Sequence, residues 1–208
     1  WPCYGSAKNW RAKCIMHNEP LEVTLQVTAI FEQLGIRYFI SGSLASTLYG
    51  MVRLTQDADI VAEMRPEHIQ PFVAALRDTF YVDEEMITEA VHRFSSFNII
   101  HRDTFFKVDV FVPSKRPFLR SQLARTRRQT FLLDREIGAQ FASPEDTILS
   151  KLEWYRLGGE MSERQWKDIL GVLKVCAAQL EMDYLRYWAR ELRVSDLLER
   201  AFEEANIG

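Results

Sequence analysis

The stretch YFISGSLASTLYGMVRLTQDADIVAEM, residues 38–64, decides the fold. It opens with a short apolar run, turns through Gly42-Ser43 into a segment that can form a helix, and reaches Asp57 and Asp59 at the mouth of a second apolar run. Side chains two residues apart on a strand share a face, so Asp57 and Asp59 should lie side by side, about 7 Å apart at their Cα atoms. Two like charges at that spacing repel each other unless a cation lies between them. The stretch therefore predicts a site for a hard divalent ion with oxygen ligands, Mg²⁺ above all.

A third acid, Asp109, stands in the strand candidate FFKVDVFVP, residues 105–113. Alternation puts Phe106 and Val108 on the core face and Asp109 on the other. An unpaired buried carboxylate is costly, so Asp109 either caps or pairs locally, or joins the other two acids at a metal. We favour the metal. A second strand candidate, 95–101, precedes this one across a three-residue link, which predicts a hairpin.

Capping residues and periodicity predict the other elements. Ser143 as N-cap and Pro144 as the first helical residue form a strong helix start, with acids in the first turn. Pro71 would remove a hydrogen bond from a running helix, so we expect the regular helix to begin near it, after a separate turn at Pro66. The segment 114–126 is expected to be helical or turn-like. Helices are predicted at 20–34, 42–49, 66–80, 84–92, 144–157, 162–179, 183–192 and 195–205, and strands at 36–41, 58–63, 95–101, 105–113, 129–133 and 137–141, the last two as short edge strands.

Composition excludes several classes of protein. The chain has 208 residues, 47% hydrophobic and 26% charged, as a globular protein does. A net charge of −3 and a pI near 5.9 give no global attraction to nucleic acid. Three cysteines form neither a disulfide framework nor a zinc motif, which favours a reducing, cytoplasmic compartment. No apolar run approaches the roughly 20 residues of a membrane helix, so no membrane association is expected.

The first 17 residues, WPCYGSAKNWRAKCIMH, fit none of these elements. They carry no starting Met and no apolar stretch of the kind found in a secretory signal. We expect residues 1–17 to be a disordered or vestigial leader. The alternative is a small arm docked through Trp1, Tyr4 and Trp10.

Several of these residues form one spaced pattern. The pattern is Gly42-Ser43, then Arg53-x-Thr55-x-Asp57-x-Asp59, then Asp109 in an apolar strand. It resembles the DNA polymerase β-type nucleotidyltransferase superfamily, and is most similar to small stand-alone prokaryotic members, the minimal nucleotidyltransferases and the AbiEii-like toxins. The segments SPEDTILSKLEWYR and RQWKDILGVL are also similar to the region after the catalytic domain in those proteins. The resemblance covers roughly residues 20–175.

The resemblance implies an α/β (α+β) fold and a metal-dependent site. The fold would be a short mixed β-sheet flanked by helices, with a nucleotidyltransferase domain over 18–141 and a C-terminal helical extension over 142–208. Asp57, Asp59 and Asp109 would be the catalytic, metal-binding residues, and Asp109 would also help activate the acceptor hydroxyl. Two Mg²⁺ ions about 3.5–4 Å apart would clamp the attacking and leaving oxygens.

The same resemblance implies a nucleotide-binding set of Gly42, Ser43, Arg53 and Lys151. A Gly-Ser turn at a helix N-terminus presents backbone N–H groups and a hydroxyl, which suits a phosphate. Arg53 and Lys151 would contact the nucleotide. A later acid, Asp168, matches only loosely.

Together these roles predict an enzyme that transfers a nucleoside monophosphate from an NTP, with ATP as the expected nucleotide, and releases pyrophosphate. The hydroxyl acceptor is unidentified: an RNA, a protein and a small molecule all remain open. One alternative is a partner-binding component of a toxin–antitoxin-like pair, with the partner protein encoded nearby. The other is an inactive scaffold that keeps the fold.

Ordinary structural roles compete with some of these assignments. Arg53 could pair with an acid, Lys151 could be an exposed helix lysine, and Asp168 could pair with Arg164 one turn away. A basic run is either a solvated face or a dock for an RNA acceptor. Its members are Arg120, Arg125, Arg127 and Arg128. Three further aromatic residues are expected in a helical core: Trp154, Tyr155 and Trp166.

Overall fold

The computed structural model describes residues 19–50, 55–132 and 136–207. The predicted leader, 1–17, lies outside this range. The helices are α1 Glu19–Gln33, α2 Gly42–Tyr49, α3 Pro66–Leu76, α4 Glu84–Arg93, α5 Pro117–Ala124, α6 Pro144–Leu157, α7 Glu163–Cys176, α8 Met182–Glu191 and α9 Ser195–Ala205, with a short 3-10 helix at Ala177–Gln179. The strands are β1 Tyr38–Ile40, β2 Asp57–Ala62, β3 Phe80–Tyr81, β4 Ser96–His101, β5 Lys107–Phe111, β6 Arg127–Leu132 and β7 Glu136–Phe141.

These elements form two compact units. The sheet unit contains the described residues up to Ile40, together with Thr55–Ser114 and Arg127–Phe141. The helical unit contains the described parts of Ser41–Leu54 and Ala142–Gly208, and the whole of Lys115–Thr126. The helical unit therefore draws on two segments that precede residue 142.

All seven of these strands belong to one mixed sheet, in the order β3-β4-β5-β2-β1-β7-β6. The pairs β2–β5 and β1–β7 are parallel and the others are antiparallel. The predicted hairpin is present as β4–β5, with Ser96 opposite Phe111. This mixed sheet flanked by helices confirms the predicted fold class. One detail was wrong: β6 is an edge strand, but β7 lies inside the sheet between β1 and β6.

The sheet unit is held by a core between its strands and its helices. Buried side chains alternate with partly exposed ones along β5 and over the first half of β2, as period-two strands require. The rings of Phe31 on α1 and Phe72 on α3 stack at 5.1 Å between centroids, and Phe97 on β4 meets Phe72 edge-on at 6.1 Å. Aromatic pairs of this geometry contribute about 1 kcal/mol beyond the area that they bury.

The helix that contains Pro71 differs from the prediction. A single helix runs from Pro66, its first residue, to Leu76, with Pro71 inside it. Pro71 stands in the second turn, where its missing N–H removes only one hydrogen bond, the one to the carbonyl of Glu67. The predicted helix to Phe80 also ends early, because Phe80 pairs with His101 as the short strand β3.

The helical unit packs α6, α7, α8 and α9 around an apolar core. Ser143 caps α6 as predicted, since its Oγ accepts from the N–H of Asp146 at 3.1 Å. Tyr155 and Trp166 are buried with ring centroids 5.2 Å apart, but Trp154 is 56% exposed, so its predicted core position was wrong. Trp154 points outward because it lies on the exposed face of α6, whereas the next residue, Tyr155, lies on the buried face. In the described part of the chain, no helix is both long and apolar enough to cross a membrane.

A buried polar network lies at the start of α6. Asp146 is fully buried; its carboxylate accepts from Ser143 Oγ at 2.9 Å and from the Tyr184 hydroxyl at 2.7 Å. Burial raises the pKa of Asp146 to about 6, and the two hydrogen bonds oppose that shift. The Arg125 guanidinium lies over the Tyr184 ring, 4.0 Å from its centroid, and 3.6 Å from the buried carboxylate of Glu145.

Candidate active site

Three aspartates lie on one face of two neighbouring parallel strands. Asp57 and Asp59 are on β2 and Asp109 is on β5, and the register sets Asp59 directly beside Asp109. Neighbouring strands are about 4.8 Å apart, so the backbone alone brings these residues together. The opposite face buries Ala58 and Val108 completely. A slip of one residue would bury the aspartates instead, so the core of the sheet unit fixes which way they point.

Local contacts orient two of the carboxylates. Thr55 Oγ1 donates to the carbonyl oxygen of Asp57 at 2.9 Å, and lies 3.2 Å from its Oδ1. Lys107, the first residue of β5, lies in register with Asp57, and its Nζ is 2.7 Å from Asp109 Oδ2. The aspartate side chains are only partly exposed, 21% in the case of Asp109. Asp109 therefore makes the local pair that the sequence had left open.

All three aspartates raise the pKa of Lys107. The hydrogen bond to Asp109 has the largest effect and raises this pKa above its ordinary value; desolvation, the next largest, lowers it, and the negative charges of Asp109, Asp57 and Asp59 raise it. Lys107 is thus a firmly protonated cation among three carboxylates. The face has a formal charge of minus two when all four groups are ionised.

The donor type on this face suits a hard divalent ion, but the arrangement of the described acids does not form a metal site. Carboxylate oxygens are the ligands that Mg²⁺ prefers, and the Lys107 ammonium already stands in for a cation on this face. Over the residues described, no three His, Cys, Asp or Glu side chains stand close enough together to hold one metal ion, and Asp109 is engaged by Lys107. The ligand set Asp57, Asp59 and Asp109 stays a prediction.

Gly42 and Ser43 begin α2, directly after β1 in sequence, as predicted. Gly42 has φ = 56°, in the left-handed region that favours glycine. Its carbonyl accepts from Ser46 Oγ at 2.6 Å. The first turn of a helix has backbone N–H groups without partners inside the helix, so this turn keeps the features of an anion site. Phosphate binding there remains a prediction.

The other two predicted nucleotide contacts have different outcomes. Arg53 lies outside the described residues. Lys151 on α6 is buried, with its Nζ 2.9 Å from Asp168 Oδ2 on α7, and the two side chains are 11% and 6% exposed. The structure therefore gives Lys151 a buried ion pair in the helical unit, and its contact with a nucleotide stays a prediction.

The basic run is not one continuous solvated face. Arg125 pairs with Glu181 at 2.7 Å and lies over the Tyr184 ring, and Arg128 pairs with Glu32 on α1 at 2.9 Å. These intramolecular pairs occupy two of the four arginines. The prediction that the four arginines bind an RNA acceptor is weaker for that reason.

Lys107 is the site residue that the sequence analysis missed. Its signal was present: it stands two residues before Asp109 in an alternating strand, so both side chains had to share a face. Its position beside Asp57 could not be predicted, because that depends on the register between β2 and β5.

Comparison with solved structures identifies the fold. An antigenic nucleotidyltransferase-like protein from Paracoccidioides brasiliensis is similar over 89% of this chain and 93% of its own, with a TM-score of 0.53 and 16% identity. The chain has a nucleotidyltransferase-type fold. The lincosamide antibiotic adenylyltransferase LnuA, solved with lincomycin bound, is similar over 77% of this chain and 98% of its own, with a TM-score of 0.50 and 18% identity.

A third similar structure is that of ANT(2'')-Ia in complex with adenylyl-2''-tobramycin. It covers 83% of this chain and 96% of its own, with a TM-score of 0.52 and 13% identity. No protein-family model and no curated protein matches the chain. Likenesses at such low identity are likenesses of fold and do not by themselves assign an activity.

Proposed function

We propose that this protein is a nucleotidyltransferase that transfers a nucleoside monophosphate from an NTP to a hydroxyl group. One observation carries the proposal: Asp57, Asp59 and Asp109 share one face of neighbouring strands in a nucleotidyltransferase-type fold. Asp is rare in strands, and three on one face set up a repulsion that a cation relieves.

In this proposal each acid has a defined part in the chemistry. Asp57 and Asp59 would hold Mg²⁺, which when bound supplies Lewis-acid stabilisation of charge on the phosphate oxygens. Asp109 would accept the proton of the acceptor hydroxyl. The acceptor oxygen then bonds to the α-phosphorus, the bond from that phosphorus to the β-phosphate oxygen breaks, and pyrophosphate leaves.

The triphosphate would be held by the turn at Gly42 and Ser43. Backbone N–H groups in the first turn of α2 suit an anion. Gly42 has a positive φ, a backbone conformation that residues with a side chain rarely adopt. ATP is the expected nucleotide. One of the similar structures is an adenylyltransferase by name and another is a complex with an adenylyl compound, adenylyl-2''-tobramycin, which supports that choice.

We favour a small-molecule hydroxyl as the acceptor over RNA or protein. Two of the similar structures contain small molecules by title: LnuA has lincomycin bound, and ANT(2'')-Ia is in complex with adenylyl-2''-tobramycin. Two of the arginines that would form an RNA dock are occupied in intramolecular ion pairs. Membership of the small stand-alone prokaryotic group, a cytoplasmic location and a partner encoded nearby stay predictions from the sequence.

The test is transfer of label. The full chain is incubated with each α-phosphate-labelled NTP, Mg²⁺ and total cell extract, and the extract is separated into RNA, protein and small molecules. Label in the small-molecule fraction, with ATP preferred, is expected. Label in RNA or protein would refute the acceptor assignment. An absence of transfer, together with no calorimetric signal for Mg²⁺ and ATP, would favour the inactive scaffold.

A further inference from the structure

Asn98 lies beside Asp109 on the face of the sheet that carries the three aspartates. The β4–β5 register sets Asn98 opposite Asp109, and the β2–β5 register sets Asp59 on the other side of Asp109. Residues directly opposite each other on antiparallel strands point to the same face, with their Cβ atoms about 5 Å apart. Burial along β4 agrees, since Phe97 and Ile99 are buried and Asn98 between them is partly exposed. The amide of Asn98 and the carboxylate of Asp109 are therefore neighbours.

The amide of Asn98 has hydrogen-bonding capacity that the fold does not use. Within the described part of the chain, its side chain makes no hydrogen bond, to Asp109 or to any other residue. Asp109 is paired with Lys107 through Oδ2, but a carboxylate can accept about four hydrogen bonds. Asn98 and Asp109 are thus a donor and an acceptor that stand side by side without bonding to each other.

A hydroxyl group is complementary to such a pair. It has one O–H to donate and two lone pairs with which to accept. With hydrogen bonds of about 2.8 Å on each side, one hydroxyl oxygen can bridge two groups about 5 Å apart. It would donate its proton to Asp109 and accept from Nδ2 of Asn98, and its second lone pair would stay available to attack the α-phosphorus.

We infer that Asn98 binds the acceptor hydroxyl and sets it against Asp109. The inference rests on the proposed function, because it needs Asp109 as the group that takes the proton of the acceptor. On transfer the O–H bond breaks, the proton passes to Asp109, the oxygen bonds to the α-phosphorus and pyrophosphate leaves. Asn98 holds the same oxygen before and during that step, so its hydrogen bond strengthens acceptor binding rather than the rate at saturation.

The test separates binding of the acceptor from binding of ATP. The full chain transfers label from α-phosphate-labelled ATP to the extract fraction that takes label from wild type, and that fraction is supplied at a series of dilutions. Loss of one hydrogen bond in Asn98→Ala should raise the half-saturating amount of the fraction roughly threefold to tenfold. The half-saturating ATP concentration and the rate at saturation should stay within about twofold of wild type. Asn98→Asp has nearly the same size but no N–H group to donate, and should show at least as large a loss.

Ser96→Ala is the matched control. Ser96 lies on the same face of β4, but opposite Phe111 instead of Asp109, so this variant should match wild type for the acceptor and for ATP. Each variant is first shown to be folded by its far-ultraviolet circular dichroism. An unchanged acceptor requirement in Asn98→Ala would overturn the inference while leaving the proposed function in place, and so would an equal rise in the ATP requirement, which a structural role predicts. If wild type transfers label to no fraction, the proposed function fails, and the inference fails with it.

Discussion

Breaking the buried pair between Lys151 and Asp168 should destabilise the helical unit strongly. The atoms Nζ and Oδ2 are 2.9 Å apart and the side chains are 11% and 6% exposed, so water can replace neither partner. Removing one member of such a pair leaves a buried charge, which costs about 3–5 kcal/mol. Lys151→Met and Asp168→Asn should each lose about that much free energy of unfolding.

The assay is urea denaturation of both single variants and of the double variant, followed by circular dichroism. The double variant removes both charges, so a coupling energy of about 2 kcal/mol is expected. Lys167→Met, which breaks a largely exposed pair, should cost less than about 1 kcal/mol. Additive effects, or a loss below about 1 kcal/mol in Lys151→Met, would refute this reasoning. A weaker affinity for ATP at unchanged stability would instead support the nucleotide contact predicted for Lys151.

Two further predictions concern the helical unit. Burial raises the pKa of Asp146 from 3.8 to about 6. The stability that protonated Asp146 contributes is therefore present below about pH 4 and is lost as the pH rises through 6. A shift of about two pKa units corresponds to about 3 kcal/mol. Urea titrations at pH 4 and pH 7 should show wild type losing that much relative to Asp146→Asn, and equal pH dependence in the two proteins would contradict it. Gly50→Ala should cost more than about 2 kcal/mol, because its Cβ would lie 2.9–3.1 Å from backbone atoms of Ser46, Gly171 and Val172. Gly158→Ala is the milder control, since its Cβ would come no closer than 3.3 Å to any neighbour. Equal melting temperatures for the two variants would contradict the prediction.

Local signals predicted most of the elements. The helices at 42–49 and 195–205 have their predicted bounds, and the alternation around Asp109 gave the hairpin β4–β5. Caps and periodicity act over a few residues, so a single sequence contains them. The same period-two rule put Asp57 and Asp59 on one face before any fold was known.

Contacts between residues far apart in the sequence could not be predicted from caps and periodicity. The interior place of β7 depends on its pairing with β1, about a hundred residues earlier in the chain. The pairing of Lys151 with Asp168 depends on how α6 packs on α7, and the place of Lys107 depends on strand register. Each contact is decided by tertiary packing, which propensity and periodicity do not encode.

The most direct measurement is transfer of label from α-phosphate-labelled ATP by the full chain, compared between wild type and Asp57→Ala. Wild type should transfer label in the presence of Mg²⁺ and the folded variant should be slower by about 100-fold or more, because a charge-stabilising group is lost from the transition state. Transfer at the wild-type rate by folded Asp57→Ala would contradict the assignment of this carboxylate face as the active site.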